Sequence, residues 1–373
     1  MTTNRSLLEK YLSHATFADS IAESRRPIVL YGTGNGADKI IKVLSDLGRR
    51  PDAVFASSGF VRNRTYADLP VLSFEEVVRE FGHDIDILMC FGSDREEVIS
   101  RAESLDGGFD FYLPDVPLYG DGLFDRAYVT ENVDRLAEVR GMLTDEDSVA
   151  LFDECVLYRL TGKIKYLSRT QRVRDTYREL FRSTEIKRVC DCGAYKGDSA
   201  RVFAEVFPNL KKIYALEPDP GTFKKLVEQA ALIRRYHGVE VEPVCAAASD
   251  REGEVAFSSS SSRGAGALGK NRRSKSVTVR TAPLDKLIRE RLDLIKLDVE
   301  GDERRALDGA KRIINDFSPS LAVSLYHRTD DLAALPLLVK SFGGEYKNMK
   351  YYLRRPRCLP CWDLALCAVK QGD

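Results

Sequence analysis

The chain has 373 residues, with 57 Lys and Arg against 57 Asp and Glu and a formal net charge of zero. Balanced charge supplies no global field for nucleic acid or an anionic membrane, and no apolar run is long enough to span a bilayer. The length exceeds a typical single core and predicts two domains.

No basic stretch followed by an apolar core opens the sequence, so a cytoplasmic protein is expected. The eight cysteines are scattered, several of them in strand-like apolar runs where a free thiol behaves as a small hydrophobe. Cys358-Leu-Pro-Cys361 has the spacing of half a zinc site but no second pair to complete it, and no metal is expected there.

Residues 1–26 read as one polar amphipathic helix with Leu7, Leu8, Tyr11 and Leu12 on one side. A strand then runs into Gly32-x-Gly34-x-x-Ala37 and a helix, a spacing compatible with a dinucleotide turn. The next strand, Ala53–Ala56, ends in Ser57 and Ser58, where such proteins carry an acid for the ribose. Gly32, Gly34 and Ala37 thus mark only a possible second nucleotide site, one that lacks its usual acid. Arg62 and Arg64 read as solvated loop residues. Strands at 69–72 and 85–91 alternate with helices near 73–82 and 94–104, which predicts a small Rossmann-like parallel α/β domain over 27–118. Residues 106–122, rich in Gly, Pro and Asp, read as a surface connection. A helical connector over 119–183 carries Val149, Phe152, Val156 and Leu160 as a core stripe, broken at Tyr158-Arg-Leu-Thr-Gly162.

The second glycine turn has different chemistry. Arg188-Val-Cys-Asp-Cys-Gly-Ala-Tyr-Lys-Gly-Asp198 reads as a buried strand, a turn and a helix start, and Ile213-Tyr-Ala-Leu-Glu-Pro218 as the next strand, ending on Glu217. In open α/β sheets ligands bind beyond the carboxyl ends of the strands, and an acid at the end of the second strand can accept two ribose hydroxyls. Asp191 would repel phosphate at this turn and suits a cation or an amine. S-adenosylmethionine supplies a sulfonium and an ammonium. Its pocket is expected from Asp191, Gly193, Ala194, Tyr195, Gly197, Asp198, Glu217 and Pro218, with Cys245 and Ala246 on the adenine side.

Further along, 254–257 and 276–280 read as hairpin strands around a Ser/Gly tract that would act as a lid. Leu292-Asp-Leu-Ile-Lys-Leu-Asp-Val-Glu-Gly301 reads as a buried strand delivering Asp298 and Glu300 to the pocket edge, with Asp298 also facing the cofactor. Leu321–His327 would be the fifth strand, followed by a helix at 332–342 and a closing antiparallel pair at 350–354 and 362–369.

With these residues in view, the segment from about 145 to 370 resembles the FkbM family of S-adenosylmethionine-dependent methyltransferases. The resemblance rests on Asp191-Cys-Gly-Ala-Tyr-Lys-Gly-Asp198, Leu216-Glu-Pro-Asp219, Ile295-Lys-Leu-Asp-Val-Glu-Gly301, Leu325-Tyr-His327 and Trp362-Asp363. It implies a class I methyltransferase seven-stranded sheet over 184–373 and O-methylation of a hydroxyl on a sugar, glycan precursor or natural product. The expected partners are thus a small-molecule or glycan acceptor, with no nucleic acid and no membrane insertion; oligomer formation is left open.

Methyl transfer to oxygen gains from a base at the carboxyl edge of the sheet. His327 is the expected base, with Asp298 or Glu300 orienting it or the substrate. The same three residues could instead hold a divalent cation, although none is expected. Two other functions remain: a non-catalytic glycan- or nucleotide-binding scaffold, and a bifunctional enzyme whose first domain binds a nucleotide cofactor. Against the latter stand the missing acid after Ala56 and the lack of a Tyr-x-x-x-Lys pair over 100–180.

Overall fold

The structure, a computed structural model, describes residues 2–57, 65–120, 122–182, 185–259 and 275–370. It opens with two helices, α1 (Thr2–Leu12) and α2 (Phe17–Glu23), where one was expected. The break lies at Thr16. Its hydroxyl accepts from the Asp19 N–H and the Asp19 carboxylate accepts from the Thr16 N–H, both at 3.1 Å, so a capping box starts a new helix there.

The first sheet is built from β1 (Ile28–Tyr31), α3 (Asn35–Asp46), β2 (Ala53–Phe55), β3 (Thr65–Tyr66), β4 (Leu69–Leu72), α4 (Phe74–Phe81), β5 (Asp86–Met89), α5 (Glu96–Asp106) and β6 (Asp110–Tyr112). Its order is β3-β4-β2-β1-β5-β6, parallel except for the β3–β4 pair. Strand β6 corrects the expectation of a surface connection over 106–122. Phe111, Tyr112 and Leu113 are buried, and the Leu113 N–H donates to the Gly162 carbonyl at 2.8 Å. The polar residues around them masked a three-residue apolar run long enough to add an edge strand.

Side-chain alternation along β1 splits the packing. Ile28 and Leu30 face α2 and α3, while Val29 and Tyr31 join a second cluster. That second cluster runs on through the connector helices α6 (Arg126–Met142) and α7 (Glu146–Thr161), by way of Leu136, Phe152 and Val156, to Ile295 and Leu366. Each such side chain contributes about 1.5–3 kcal/mol on burial, so this shared core is what fixes one sheet against the other. Helix α7 ends at Gly162, whose φ of 65° gives the left-handed cap. Helix α8 (Val173–Leu180) packs on the next sheet through Tyr177 and Phe203.

The remaining elements are β7 (Arg188–Cys192), α9 (Asp198–Val206), β8 (Lys212–Leu216), α10 (Pro220–His237), β9 (Glu240–Val244), β10 (Ala247–Ala248), β11 (Gly253–Ser259) and β12 (Lys275–Ala282). After them come α11 (Leu284–Leu287), β13 (Leu294–Leu297), α12 (Glu303–Asp308), α13 (Lys311–Phe317), β14 (Ser320–Ser324), α14 (Asp331–Ser341), β15 (Lys350–Arg354) and β16 (Ala365–Val369). Seven strands form a sheet of order β15-β16-β14-β13-β7-β8-β9, in which β16 alone runs antiparallel to its neighbours. Strand β7 lies between β8 and β13, so the order reverses there and the chain ends diverge to open a crevice.

Strands β11 and β12 pair antiparallel from Gly253↔Thr281 to Ser259↔Lys275. Most of the tract expected as a lid, together with Ser58, Arg62 and Arg64, lies outside the described residues. Cys190 and Cys192 share a face of β7, with sulfurs 3.5 Å apart. The sulfurs of Cys358 and Cys361 meet different partners, the Trp362 carbonyl and Cys155, each at 3.0 Å. Among the described residues no helix is long and apolar enough to cross a membrane.

Candidate active site

A cavity of about 500 Å³ opens at the carboxyl ends of β7, β8, β13 and β14. Its cofactor-side wall begins at the turn after β7. Gly193 has φ 77°, and a Cβ there would sit 1.8 Å from the backbone carbonyl oxygen of Asp298, so β7 and β13 can approach this closely only with glycine at that position. The Gly193 and Ala194 N–H groups donate to the Leu216 carbonyl at 3.0 and 2.9 Å, which ties the turn to β8.

Glu217 follows β8 directly. Its Oε2 accepts from the Tyr195 N–H at 3.0 Å and its Oε1 from the Asp219 N–H at 2.8 Å. Both oxygens are therefore held by backbone donors, and each keeps a second lone pair. Glu217 is 6% exposed, and burial pushes its carboxyl up to about 7 against the pull of those two N–H groups. Asp219 caps α10 by accepting from the Thr222 N–H at 2.8 Å, with Pro220 at the first helical position.

Asp191 is fully buried. It accepts from the Ser199 hydroxyl at 2.6 Å and pairs with the Lys296 ammonium at 3.2 Å. Lys296 also donates to the Gly193 carbonyl at 3.1 Å and lies 3.9 Å from Asp298. Burial would lower the Lys296 pKa, but the Asp191 and Asp298 charges outweigh it and raise it. The cation beside Asp191 is thus the chain's own.

Beside this turn, the loop after β13 presents Asp298 and Glu300, the latter with φ 57°. Asp298 accepts from the Tyr326 hydroxyl at 3.0 Å and Glu300 from the Tyr119 hydroxyl at 2.9 Å. Burial pushes Glu300 up to about 7, while burial of Asp298 is outweighed by the Lys296 and His327 charges, which lower it. His327 is buried behind these two. Its Nε2 lies 3.7 Å from each of Asp298 and Glu300, and its Nδ1 2.9 Å from Glu303. Burial alone would lower the imidazole, but Glu303, Glu300 and Asp298 raise it to about 10. Trp362 and Asp363 complete this wall, Asp363 with φ 58°.

Among the expected residues, Gly193, Ala194, Tyr195, Asp198, Glu217, Pro218, Ala246, Asp298 and Glu300 line the cavity. Asp191, Gly197, Cys245 and His327 are not among its lining residues. Gly197 instead lets α10 pack closely, since a Cβ would lie 2.8 Å from the Gln229 side chain. At the first glycine turn, a Cβ on Gly32 would lie 2.5 Å from the Phe91 ring, and Ala37 is buried in the core. The Tyr66 hydroxyl lies 2.8 Å from the Gly34 carbonyl oxygen and 2.5 Å from the Asp38 carboxylate, which puts a carboxylate and a phenol at the start of α3.

Sequence reasoning left out Tyr119, Lys296, Glu303 and Tyr326 as site residues. Lys296 had a signal, a charged residue in step with Asp298 inside an apolar strand. Tyr119 had none, because its partner Glu300 is 181 positions away.

This strand order, glycine turn and strand-end acid define the class I methyltransferase fold. Residues 191–351 match the sequence model of the family described as Methyltransferase FkbM domain. Over both sheets, the fold is similar to the crystal structure of methyltransferase FkbM from Methylobacillus flagellatus, at 18% identity and TM-score 0.70, covering 98% of each chain. Smaller overlaps include an rRNA methylase from Streptococcus thermophilus (13% identity, 55% of this chain and 100% of that one, TM-score 0.35). Aeropyrum pernix fibrillarin with natively bound S-adenosyl-L-methionine overlaps 50% of this chain and 66% of its own, at 12% identity and TM-score 0.30. No curated protein matches the chain.

Proposed function

We propose that this protein transfers a methyl group from S-adenosylmethionine to a hydroxyl oxygen of a small-molecule or glycan acceptor. The observation that carries this reading is Glu217, a carboxylate pinned by two backbone N–H groups and facing the cavity with lone pairs to spare. A ribose diol fits that donor set. The turn through Gly193 and Ala194 would take the amino-acid end of the cofactor, and Ala246 to Ala248 the adenine. Bound there, the cofactor supplies an electrophilic methyl group on a sulfonium.

The chain's own residues would do the rest. Asp298 and Glu300, at the carboxyl end of β13, would meet the acceptor hydroxyl. A base must reach the substrate, and His327 sits behind these two residues with three carboxylates around it. We assign the proton acceptor to Glu300, which lines the cavity and is held by Tyr119, and give His327 the role of positioning Asp298 and Glu300. Asp191 acts through Lys296 and Ser199 to brace the turn rather than by touching the cofactor.

Calorimetric titration with S-adenosylhomocysteine, on wild type and Glu217→Ala, tests the reading. Binding by wild type that is weakened in the variant is expected. A folded wild-type protein that takes up no S-adenosylhomocysteine would overturn it.

A further inference from the structure

Behind the acceptor wall, Asp298, Glu303 and His327 each offer one donor atom within 4.8 Å of the other two. Carboxylates gathered in this way are not in themselves a site, and the second observation is the state of the buried polar atoms. His327 and Glu303 are at most 1% exposed. Among the described residues, neither ring nitrogen of His327 has a hydrogen-bond partner, and Glu303 Oε2 has none either. Although Nδ1 is 2.9 Å from Glu303 and Nε2 is 3.7 Å from Asp298 and from Glu300, no bond of acceptable direction forms. Buried polar atoms left in this way are costly, and native interiors tolerate few of them.

A proton on His327 would balance charge but would leave both N–H groups aimed past their acceptors. A cation has no such directional need at the carboxylates and uses an imidazole lone pair directly. Glu303 is already oriented, since its Oε1 accepts from the Val299 N–H at 3.0 Å and the Gly301 N–H at 3.4 Å. That is how ligating carboxylates are commonly held. Of the nearby basic side chains, Lys296 pairs with Asp191 at 3.2 Å and lies farther from Asp298, at 3.9 Å, and Arg328 Nε donates to the Gly301 carbonyl at 2.7 Å.

We propose that Asp298, Glu303 and His327 bind a divalent first-row cation of the Mn²⁺ type beneath the acceptor side of the cavity. One imidazole and two carboxylates suit such an ion better than Mg²⁺ or Ca²⁺, which favour all-oxygen sites. Donors up to 4.8 Å apart lie about 2.8 Å from a common centre, so bonds near 2.1 Å need each side chain to move inward by about 0.7 Å. Asp298 lines the cavity next to Glu300, so a cation held by it would lie just beneath the wall where the acceptor oxygen would sit. Using the cation to seat that oxygen rests on the methyltransferase reading, whereas binding of the cation does not.

The test uses the full chain, stripped of metal and titrated with Mn²⁺ under electron paramagnetic resonance, with pulsed spectra of the loaded protein. One bound Mn²⁺ per chain with nitrogen hyperfine coupling from a directly bonded imidazole is expected. The coupling should vanish in His327→Gln, and Glu303→Gln should weaken binding by more than about tenfold, since even outer-shell partners of metal sites are worth that much. No bound Mn²⁺, or bound Mn²⁺ without nitrogen coupling, overturns the proposal; the wild-type spectrum decides this even where a variant fails to fold. Calorimetry with S-adenosylhomocysteine on the same preparation keeps the two readings apart. S-adenosylhomocysteine binding without Mn²⁺ binding sinks the cation site alone, and Mn²⁺ binding without S-adenosylhomocysteine sinks the transferase.

Discussion

Replacing Glu217 by Gln is conservative in volume and should nonetheless be damaging. Each carboxylate oxygen accepts one backbone N–H, from Tyr195 at 3.0 Å and Asp219 at 2.8 Å. A glutamine keeps one acceptor oxygen and points an NH₂ donor at the other N–H. The orphaned donor costs about 1–3 kcal/mol of stability, and the ribose loses charge-assisted acceptors worth about 1.5–3 kcal/mol each. Affinity for S-adenosylhomocysteine should fall by about a hundredfold or more, since 1.4 kcal/mol is a factor of ten.

The same logic sets a pH dependence. Glu217 is raised from 4.5 to about 7 by burial, so its contribution to the stability of the free protein is present below about pH 4.5 and is lost as pH rises through 7, roughly 3 kcal/mol in all. Ribose hydroxyls that donate to the carboxylate favour its ionised form, so binding should strengthen as pH rises. From pH 6 to pH 8 the gain is about tenfold in wild type and is absent in Glu217→Gln. The groups that share its surroundings, Asp219, Cys245 and Lys296, remain in the variant as controls. Calorimetry at pH 6, 7 and 8 measures this. A wild-type affinity flat across that range, or a variant that binds as tightly as wild type, would refute the ribose assignment.

Lys296→Met should lower unfolding stability by about 3–5 kcal/mol, because it leaves the fully buried Asp191 charge without its partner; a loss under about 1 kcal/mol in urea titration would speak against that pairing. Gly193→Ala must force a left-handed backbone and a Cβ 1.8 Å from the Asp298 carbonyl oxygen, so at least about 2 kcal/mol of stability and most S-adenosylhomocysteine binding should go, and an alanine variant with wild-type affinity would contradict the geometry of the turn. Glu300→Gln should reduce methyl transfer to any hydroxyl acceptor that wild type uses by about 10²- to 10⁴-fold while S-adenosylhomocysteine affinity changes little; unchanged turnover would move the base elsewhere.

The features legible in the chain alone are local. The left-handed requirement at Gly193, the near-continuous burial of β7 and β13, and an acid placed directly after β8 all follow from a few neighbouring residues, and they sufficed for the sheet and for the family resemblance. Local reading failed where polar composition hid a short strand, at β6, and where a capping box divided the N-terminal helix at Thr16. Which charges meet is set by the folding of distant segments onto one another. Asp191 and His327 stand at strand ends that the sequence marks as exposed to ligand, yet Lys296 occupies the first and three carboxylates enclose the second. Tyr119, brought from the segment after β6, fixes Glu300. Pairing and desolvation depend on contacts across the fold, and these set whether a titratable group faces a substrate or a neighbour.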